Sequence, residues 1–171
     1  MIIYSTYRSS IGEIVISSDG RGICGLSFGA PPDMPGIPGT DEHISSAVTW
    51  LDTYFSGTDP SFVPRLSLDG TPFQMEIWEM LLCIPFGETR TYGQLAAACA
   101  KARGIPKMSA RAVGNAAGKN PVALIVPCHR LIGAGGALGG YGFGTVVKAK
   151  LLVLEGHAVQ GEKLCDLFSP S

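Results

Sequence analysis

Val122-Ala123-Leu124-Ile125-Val126-Pro127-Cys128-His129-Arg130-Leu131-Ile132 is an apolar run that stops at a proline and passes straight into a thiol, an imidazole and a guanidinium. Val122 to Val126 reads as a short buried segment, either a strand or a tight core loop. Pro127 cannot continue a regular ladder, so the chain must turn where Cys128 sits. Anchoring that turn in the core holds a reactive group rigidly while leaving it reachable. His129 and Arg130 are potential cations beside the sulfur, and such neighbours favour thiolate over thiol. The plainer reading is that Cys128 is one more small buried hydrophobe. The adjacent Pro, His and Arg weigh against it.

The five cysteines (24, 83, 99, 128 and 165) are odd in number and lack CxxC spacing, so neither a zinc knuckle nor a disulfide framework is expected. His43, His129 and His157 are too scattered to suggest a metal cluster. The opening Met1-Ile2-Ile3-Tyr4-Ser5-Thr6 lacks the pattern of a signal peptide, and no apolar run is long enough to span a bilayer. A cytoplasmic protein in a reducing compartment is expected.

Charge is unevenly distributed. Residues 1–71 carry three basic groups against eight acidic ones, while residues 72–171 carry ten against six. Between Glu88 and Glu155 there is no acidic residue, yet nine basic ones occur: Arg90, Lys101, Arg103, Lys107, Arg111, Lys119, Arg130, Lys148 and Lys150. A one-sign stretch around a reactive centre reads as a field for a polyanion, because a merely solvated face usually intersperses both signs.

The pattern divides the chain near Leu68–Pro72, into 1–70 and 71–171. Residues 2–8 and 13–17 predict a hairpin about Ser9–Gly12, with a third strand over 22–28. Pro31, Pro32, Pro35 and Pro38, with three glycines, make 29–40 a loop. Asp41 caps a predicted helix to Phe55, with Ile44, Val48, Leu51 and Phe55 as its stripe. In the second part, Thr71-Pro72 opens a helix carrying Phe73, Ile77, Leu81 and Ile84, where Trp78 is expected to be core. Thr91 caps a helix from Tyr92 to about Ala102, Gly104-Ile105-Pro106 turns the chain, and a second helix is predicted over 107–117. That pair, with Lys107, Arg111 and Lys119 on its second member, fits a helix-turn-helix. A last helix is predicted over 145–155.

Seven glycines fall within residues 133–144. They do not form GxGxxG, and Gly114 to Asn120 falls one residue short of a P-loop, so both nucleotide readings fail. A glycine-rich loop there lets backbone approach a flat ligand closely, with Tyr141 or Phe143 packing beside it.

Pro127-Cys128-His129-Arg130 resembles the active-site motif of the O6-alkylguanine-DNA alkyltransferases. Six further blocks follow in order. These are Phe73 with Ile77-Trp78, Leu81, Ile84-Pro85 and Gly87; Thr91-Tyr92 with Leu95-Ala96; Arg111-Ala112-Val113-Gly114; Asn120-Pro121; Gly140-Tyr141; and Leu151-Leu152 with Glu155-Gly156. The resemblance implies an α+β protein. Its N-terminal part would be a small α/β ribonuclease-H-like domain, and its C-terminal part a helical domain with a winged-helix-like helix-turn-helix. It implies direct, stoichiometric transfer of an alkyl group from O6-alkylguanine in duplex DNA to the protein's own cysteine, with base flipping. A monomer acting on double-stranded DNA without cofactor, metal or membrane is implied.

By position, Cys128 would be the nucleophile, served through water by His129, which Glu155 orients. Asn120 would hold the turn, and Tyr92 would meet the flipped guanine. Arg111 would fill the gap left in the duplex, with Ala112, Gly114, Lys107 and Lys119 also at the DNA. Pro127, Leu131, Tyr141 and Gly142 would line the substrate pocket. Gly142 stands where many relatives have a hydroxyl residue, and Lys150 and Leu154 where they often have Trp and His. Those departures bear on substrate range. A lesion-binding module without chemistry and a Cys-His hydrolase are the competing readings. The former lacks the cysteine in known relatives, and the latter leaves the acid-free interval without a purpose.

Overall fold

The computed structural model describes residues 1–34 and 36–165. They form two compact units, one of residues 1–71 with 121–126, the other of residues 72–120 with the chain from 127 onward.

In the first unit, β1 (Ile3–Ser9), β2 (Gly12–Ser18), β3 (Ile23–Phe28) and β4 (Ile37–Pro38) form one sheet in the order β3-β2-β1-β4. β1 and β2 pair antiparallel from Ile3 opposite Ser18 to Ser9 opposite Gly12, which is the expected hairpin. The short parallel β4 interrupts the segment that proline content marked as loop. Helix α1 (Glu42–Phe55) packs on this sheet. Asp41 caps it by accepting from the Ile44 N–H at 2.8 Å, while its other oxygen accepts from Ser18 Oγ at 2.6 Å. Such a cap contributes about 1 kcal/mol. The buried face of α1 is His43, Ile44, Ala47, Trp50, Leu51 and Tyr54 rather than the stripe through Val48 and Phe55. The large rings of Trp50 and Tyr54, stacked 5.1 Å apart, rotate the helix toward themselves.

Residues 122–126 are a tight core loop and not a strand of the sheet. Leu26 N–H donates to Pro121 O at 3.0 Å, and Ala123 N–H donates to Leu26 O at 3.1 Å, so the segment is stitched to β3. Ile125 N–H then reaches back to Ala123 O at 2.8 Å around Leu124, whose φ is +72°. A leucine in that region costs on the order of 1–3 kcal/mol and persists only where the surroundings fix it. All five side chains from Val122 to Val126 are buried.

The second unit is helical: α2 (Pro72–Leu82), α3 (Tyr92–Arg103), α4 (Ala110–Gly118) and α5 (Thr145–Leu154). Two short pairings accompany them, a parallel one of β5 (Arg90–Thr91) with β6 (Leu131–Ile132), and an antiparallel one of β7 (Val159–Gln160) with β8 (Lys163–Leu164). Trp78 is core, as expected, and its Nε1–H donates to Ala116 O at 2.9 Å, tying α2 to α4. α3 opens with a reciprocal Thr91/Gln94 capping box and ends at Gly104, whose φ of +65° suits only glycine well. α4 starts later than the sequence predicts, because Ser109 Oγ captures the Ala112 N–H at 3.1 Å and fixes the cap there. Lys107 therefore precedes α4 instead of riding on it. Val113, Ala116 and Ala117 face inward, and Arg111 faces solvent.

Candidate active site

Pro127 and Cys128 lead from the buried loop into a single 3-10 turn, Cys128–Arg130, closed by Arg130 N–H donating to Pro127 O at 3.0 Å. This turn sends successive side chains different ways. Cys128 is half-buried, whereas His129 and Arg130 point into the interior. Asn120, just past the end of α4, donates its Nδ2–H to Cys128 Sγ at 3.4 Å.

His129 is fully buried, and its Nε2 is hydrogen-bonded to Glu155 Oε2. Glu155 Oε1 accepts from Arg130 Nε at 2.7 Å and from the Gly87 N–H at 3.2 Å. Arg130 Nη1 donates to Ile84 O at 2.6 Å, and its guanidinium lies 5.9 Å from the centroid of the Phe86 ring. Burial opposes the charge on Glu155, but His129 and Arg130 outweigh it and hold the carboxyl down to about 2. Burial pushes the His129 imidazole below its usual value, and Arg130 and Lys148 add to this, against the pull of Glu155. The resting pair is therefore a neutral imidazole against a carboxylate. A carboxylate only accepts, so the proton sits on Nε2 and the lone pair on Nδ1. Nδ1 is buried and has no hydrogen-bond partner among the described residues.

These facts correct one expectation. Arg130 is committed to Glu155, and His129 is neutral, so the two do not act as cations toward the sulfur. Burial pushes the Cys128 thiol up, only partly offset by Asn120 and Lys148. The resting group is a thiol.

The Tyr92 ring is approached by two glycines. A Cβ at Gly114 would lie 3.5 Å from its Cδ1 and Cε1, and one at Gly139 would lie 3.2 Å from Cε2 and 3.3 Å from the hydroxyl. Gly139 has φ +73°, so its backbone needs glycine and its approach to the ring does too. Burial, with the nearby Cys128, raises the Tyr92 phenol. Tyr141 packs edge-on against Phe143 at 5.6 Å, its buried hydroxyl unpartnered among the described residues and its ionisation pushed well up by burial. Gly142 is exposed, with open space where a side chain would stand. Leu131 and Pro127 are buried.

Arg111 is exposed on α4, Lys119 is exposed just past its end, Lys107 is exposed ahead of it, and Ala112 is half-buried beside Arg111. The acid-free interval is thus not one surface. Arg130 and Lys148 are interior, and Arg103 pairs with Glu76 at 2.9 Å.

Lys148 is the functional-site residue that sequence reasoning missed. Its side chain is fully buried, and its Nζ donates to Leu131 O and to Gly140 O, the latter at 3.3 Å. It lies 5.8 Å from the Tyr92 ring centroid. Burial lowers its pKa to about 8, against the pull of Cys128. The signal was present in the spacing: Lys148, Leu151, Leu152 and Glu155 recur at i, i+3, i+4 and i+7 on one face of α5. Among the described residues, no cluster of metal-ligating side chains occurs and no helix is long and apolar enough to cross a membrane.

Fold and site together define a two-unit α+β protein in which a cysteine on a short turn is followed in sequence by residues of a buried His–Glu–Arg chain. Residues 72–157 match the family model described as 6-O-methylguanine DNA methyltransferase, DNA binding domain, and residues 2–68 match that of its ribonuclease-like domain. The chain belongs to the 6-O-methylguanine DNA methyltransferase family. A methylated-DNA–protein-cysteine methyltransferase of Methanosarcina acetivorans is 43% identical over 157 residues, covering 90% of this chain and 97% of the relative. The crystal structure of the O6-methylguanine methyltransferase of Mycobacterium tuberculosis superposes with a TM-score of 0.78 at 43% identity, covering 91% of this chain and 93% of that one. A crystal structure of the same mycobacterial protein in complex with DNA gives 0.78 at 42% identity, covering 90% and 92%.

Proposed function

We propose that this protein repairs DNA by moving an alkyl group from O6 of guanine onto Cys128 Sγ, once per molecule, with the base turned out of the duplex. The observation that carries the reading is the chain Arg130–Glu155–His129, ending in a buried Nδ1 without a hydrogen-bond partner among the described residues, on the residue that follows Cys128, whose half-buried thiol is held by Asn120.

The thiol must lose its proton before attack at carbon. His129 Nδ1 is the acceptor, reached through one water, and Glu155 stabilises the imidazolium that forms. Because Glu155 is already ionised and fixed by Arg130 and the Gly87 N–H, that stabilisation needs no rearrangement. Sulfur then bonds to the alkyl carbon while the carbon–O6 bond breaks, and its electron pair passes into the purine. Tyr92 gives its phenolic proton to the departing base. The thioether does not hydrolyse, so the protein is spent.

Arg111, exposed on α4, fills the space left by the extruded base, offsetting a few kcal/mol of lost stacking. Lys107 and Lys119 meet phosphates, with Ala112 and Gly114 at the groove. Tyr141 and the Gly142 backbone line the base pocket with Pro127, while Leu131 supports it from the core. The protein acts as a monomer in the cytoplasm, where its five free thiols stay reduced.

Incubation with a duplex bearing O6-methylguanine, followed by intact-mass measurement and peptide mapping, tests this. One added methyl on the Cys128 peptide is expected. Tight binding without a mass change would reduce the protein to a lesion-binding module.

A further inference from the structure

The described chain continues beyond residue 157, where the family match ends. There β7 and β8 form a hairpin, with Val159 opposite Leu164 and Gln160 opposite Lys163. Cys165 N–H donates to Ala158 O at 2.8 Å and closes its open end.

This hairpin is built onto the glycine-rich segment. Leu138 N–H donates to Glu162 O at 2.9 Å, and Ala137 bridges Lys163 in antiparallel register. A Cβ at Gly136 would lie 3.1 Å from Leu164 O, so the two backbones run in contact. Val159 and Leu164 pack on the cluster of Ile132, Leu138 and Leu152.

The anchored residue Leu138 immediately precedes Gly139, where an added Cβ would lie 3.2 Å from the Tyr92 ring, and Gly140, whose carbonyl receives Lys148. Seven glycines in residues 133–144 give this segment little stiffness of its own, because glycine has more conformational freedom to lose than any other residue. Holding a reacting geometry requires an outside support for such a segment. Among its described contacts, the hairpin supplies the only backbone pairing that reaches Leu138 from another part of the chain.

We propose that the β7–β8 hairpin is a positioning element for alkyl transfer, holding the Gly139–Gly140 wall against Tyr92 through Leu164 and the Glu162 carbonyl. The inference rests on Cys128 as acceptor and Tyr92 as the residue facing the base. Leu164 touches no substrate and acts only through the wall it supports.

The test uses the full chain carrying Leu164→Ala, with Leu164→Met as the conservative replacement. Three quantities are measured well below the unfolding midpoint: benzyl transfer from free O6-benzylguanine, alkylation of Cys128 by iodoacetamide, and amide exchange over 138–142. The wild-type protein must first carry benzyl on Cys128; failure there sinks the alkyl-transfer reading itself, separately from the hairpin. With that control in hand, Leu164→Ala is expected to slow benzyl transfer on the order of ten-fold while iodoacetamide alkylation changes less than about two-fold, since only the former needs the wall in register. Faster exchange over 138–142 and recovery with Leu164→Met complete the expected result. An unchanged benzyl rate overturns the proposal. Equal losses with both reagents also overturn it, by reducing Leu164 to general packing. Should Leu164→Ala fail to fold, Val159→Ala, on the same cluster, is judged by the same criteria.

Discussion

Arg130 and Lys148 sit in the same acid-free interval as Arg111 and Lys119, yet the first pair is buried and the second exposed. The interior cations face a low-dielectric surrounding, where each charge must be matched. Arg130 is matched by Glu155, and Lys148 by two backbone carbonyls. The exposed cations keep contact with water and act at longer range, where salt screens them. One residue class therefore does two jobs, and burial decides which.

The sharpest break between chemistry and affinity comes at the thiol. Cys128→Ser is expected to abolish alkyl transfer while leaving affinity for a lesion-bearing duplex largely intact. Single-turnover repair and duplex binding measure the two halves, and a Ser variant that still demethylates at the wild-type rate removes Cys128 as acceptor.

Next is the centre of the interior network. Glu155→Gln should slow transfer and also destabilise the fold by on the order of 3 kcal/mol, because it leaves Arg130 buried without its counter-charge. A carboxylate at a helix C-terminus is unfavourable to the dipole, so that effect alone would make Gln slightly stabilising. Denaturant unfolding separates the two. The pH dependence is a companion check. The His129 and Glu155 pKa values are both lowered in the folded state, so the unfolded chain binds more protons as acid is added. Stability from His129 is complete above its unfolded value near 6.5, and that from Glu155 above 4.5. It should decline from 6.5 downward, with the Glu155 share lost between 4.5 and about 2. A midpoint flat from pH 7 to 4 would contradict the buried pair.

Lys148→Met should affect the rate more than the stability. Removing a buried ammonium that has no carboxylate partner among the described residues relieves desolvation, but it strands the Leu131 and Gly140 carbonyls, so the two effects are expected to offset. The Cys128 thiol loses a nearby cation and should titrate higher, slowing transfer on the order of ten-fold at neutral pH. The pH profile of Cys128 alkylation reads this directly. An unshifted profile would confine Lys148 to bracing the loop.

Changes on the exposed side should be felt on duplex DNA alone. Arg111→Ala should weaken repair in duplex DNA by one to two orders of magnitude, corresponding to a few kcal/mol of stacking left unoffset, and leave reaction with free O6-benzylguanine near wild type. Lys119→Ala should lower duplex affinity and reduce the steepness of its salt dependence by about one phosphate. Equal losses for Arg111→Ala on both substrates would move that residue into the interior class.

Much of the fold was readable before any coordinates. The β1–β2 hairpin followed from alternation around Ser9–Gly12, and α1 and α3 from Asp41 and Thr91 as caps, because these signals are local and short-range geometry satisfies them. Misreadings arose where local signals competed. Ser109 out-capped the earlier start at Lys107, and Trp50 with Tyr54 outweighed Val48 and Phe55 on α1. At the site, Cys128, His129, Glu155, Asn120 and Tyr92 were named through the resemblance to the alkyltransferases; hydrogen bonds join Asn120 to Cys128 and His129 to Glu155, and the Tyr92 ring faces Gly114 and Gly139.

The sequence by itself determined the first hairpin and the longer helices, the reactive triplet Cys128-His129-Arg130 and the one-sign charge of the surrounding interval, because residue type and spacing are properties of the chain. Only the tertiary structure decided the protonation state of the site and the allegiance of each charge. Ionisation responds to desolvation and to neighbours brought from far along the chain. Arg130 meets the carbonyl of Ile84, Glu155 meets the N–H of Gly87, and Lys148 meets the carbonyl of Leu131. None of those distances exists until the chain has folded.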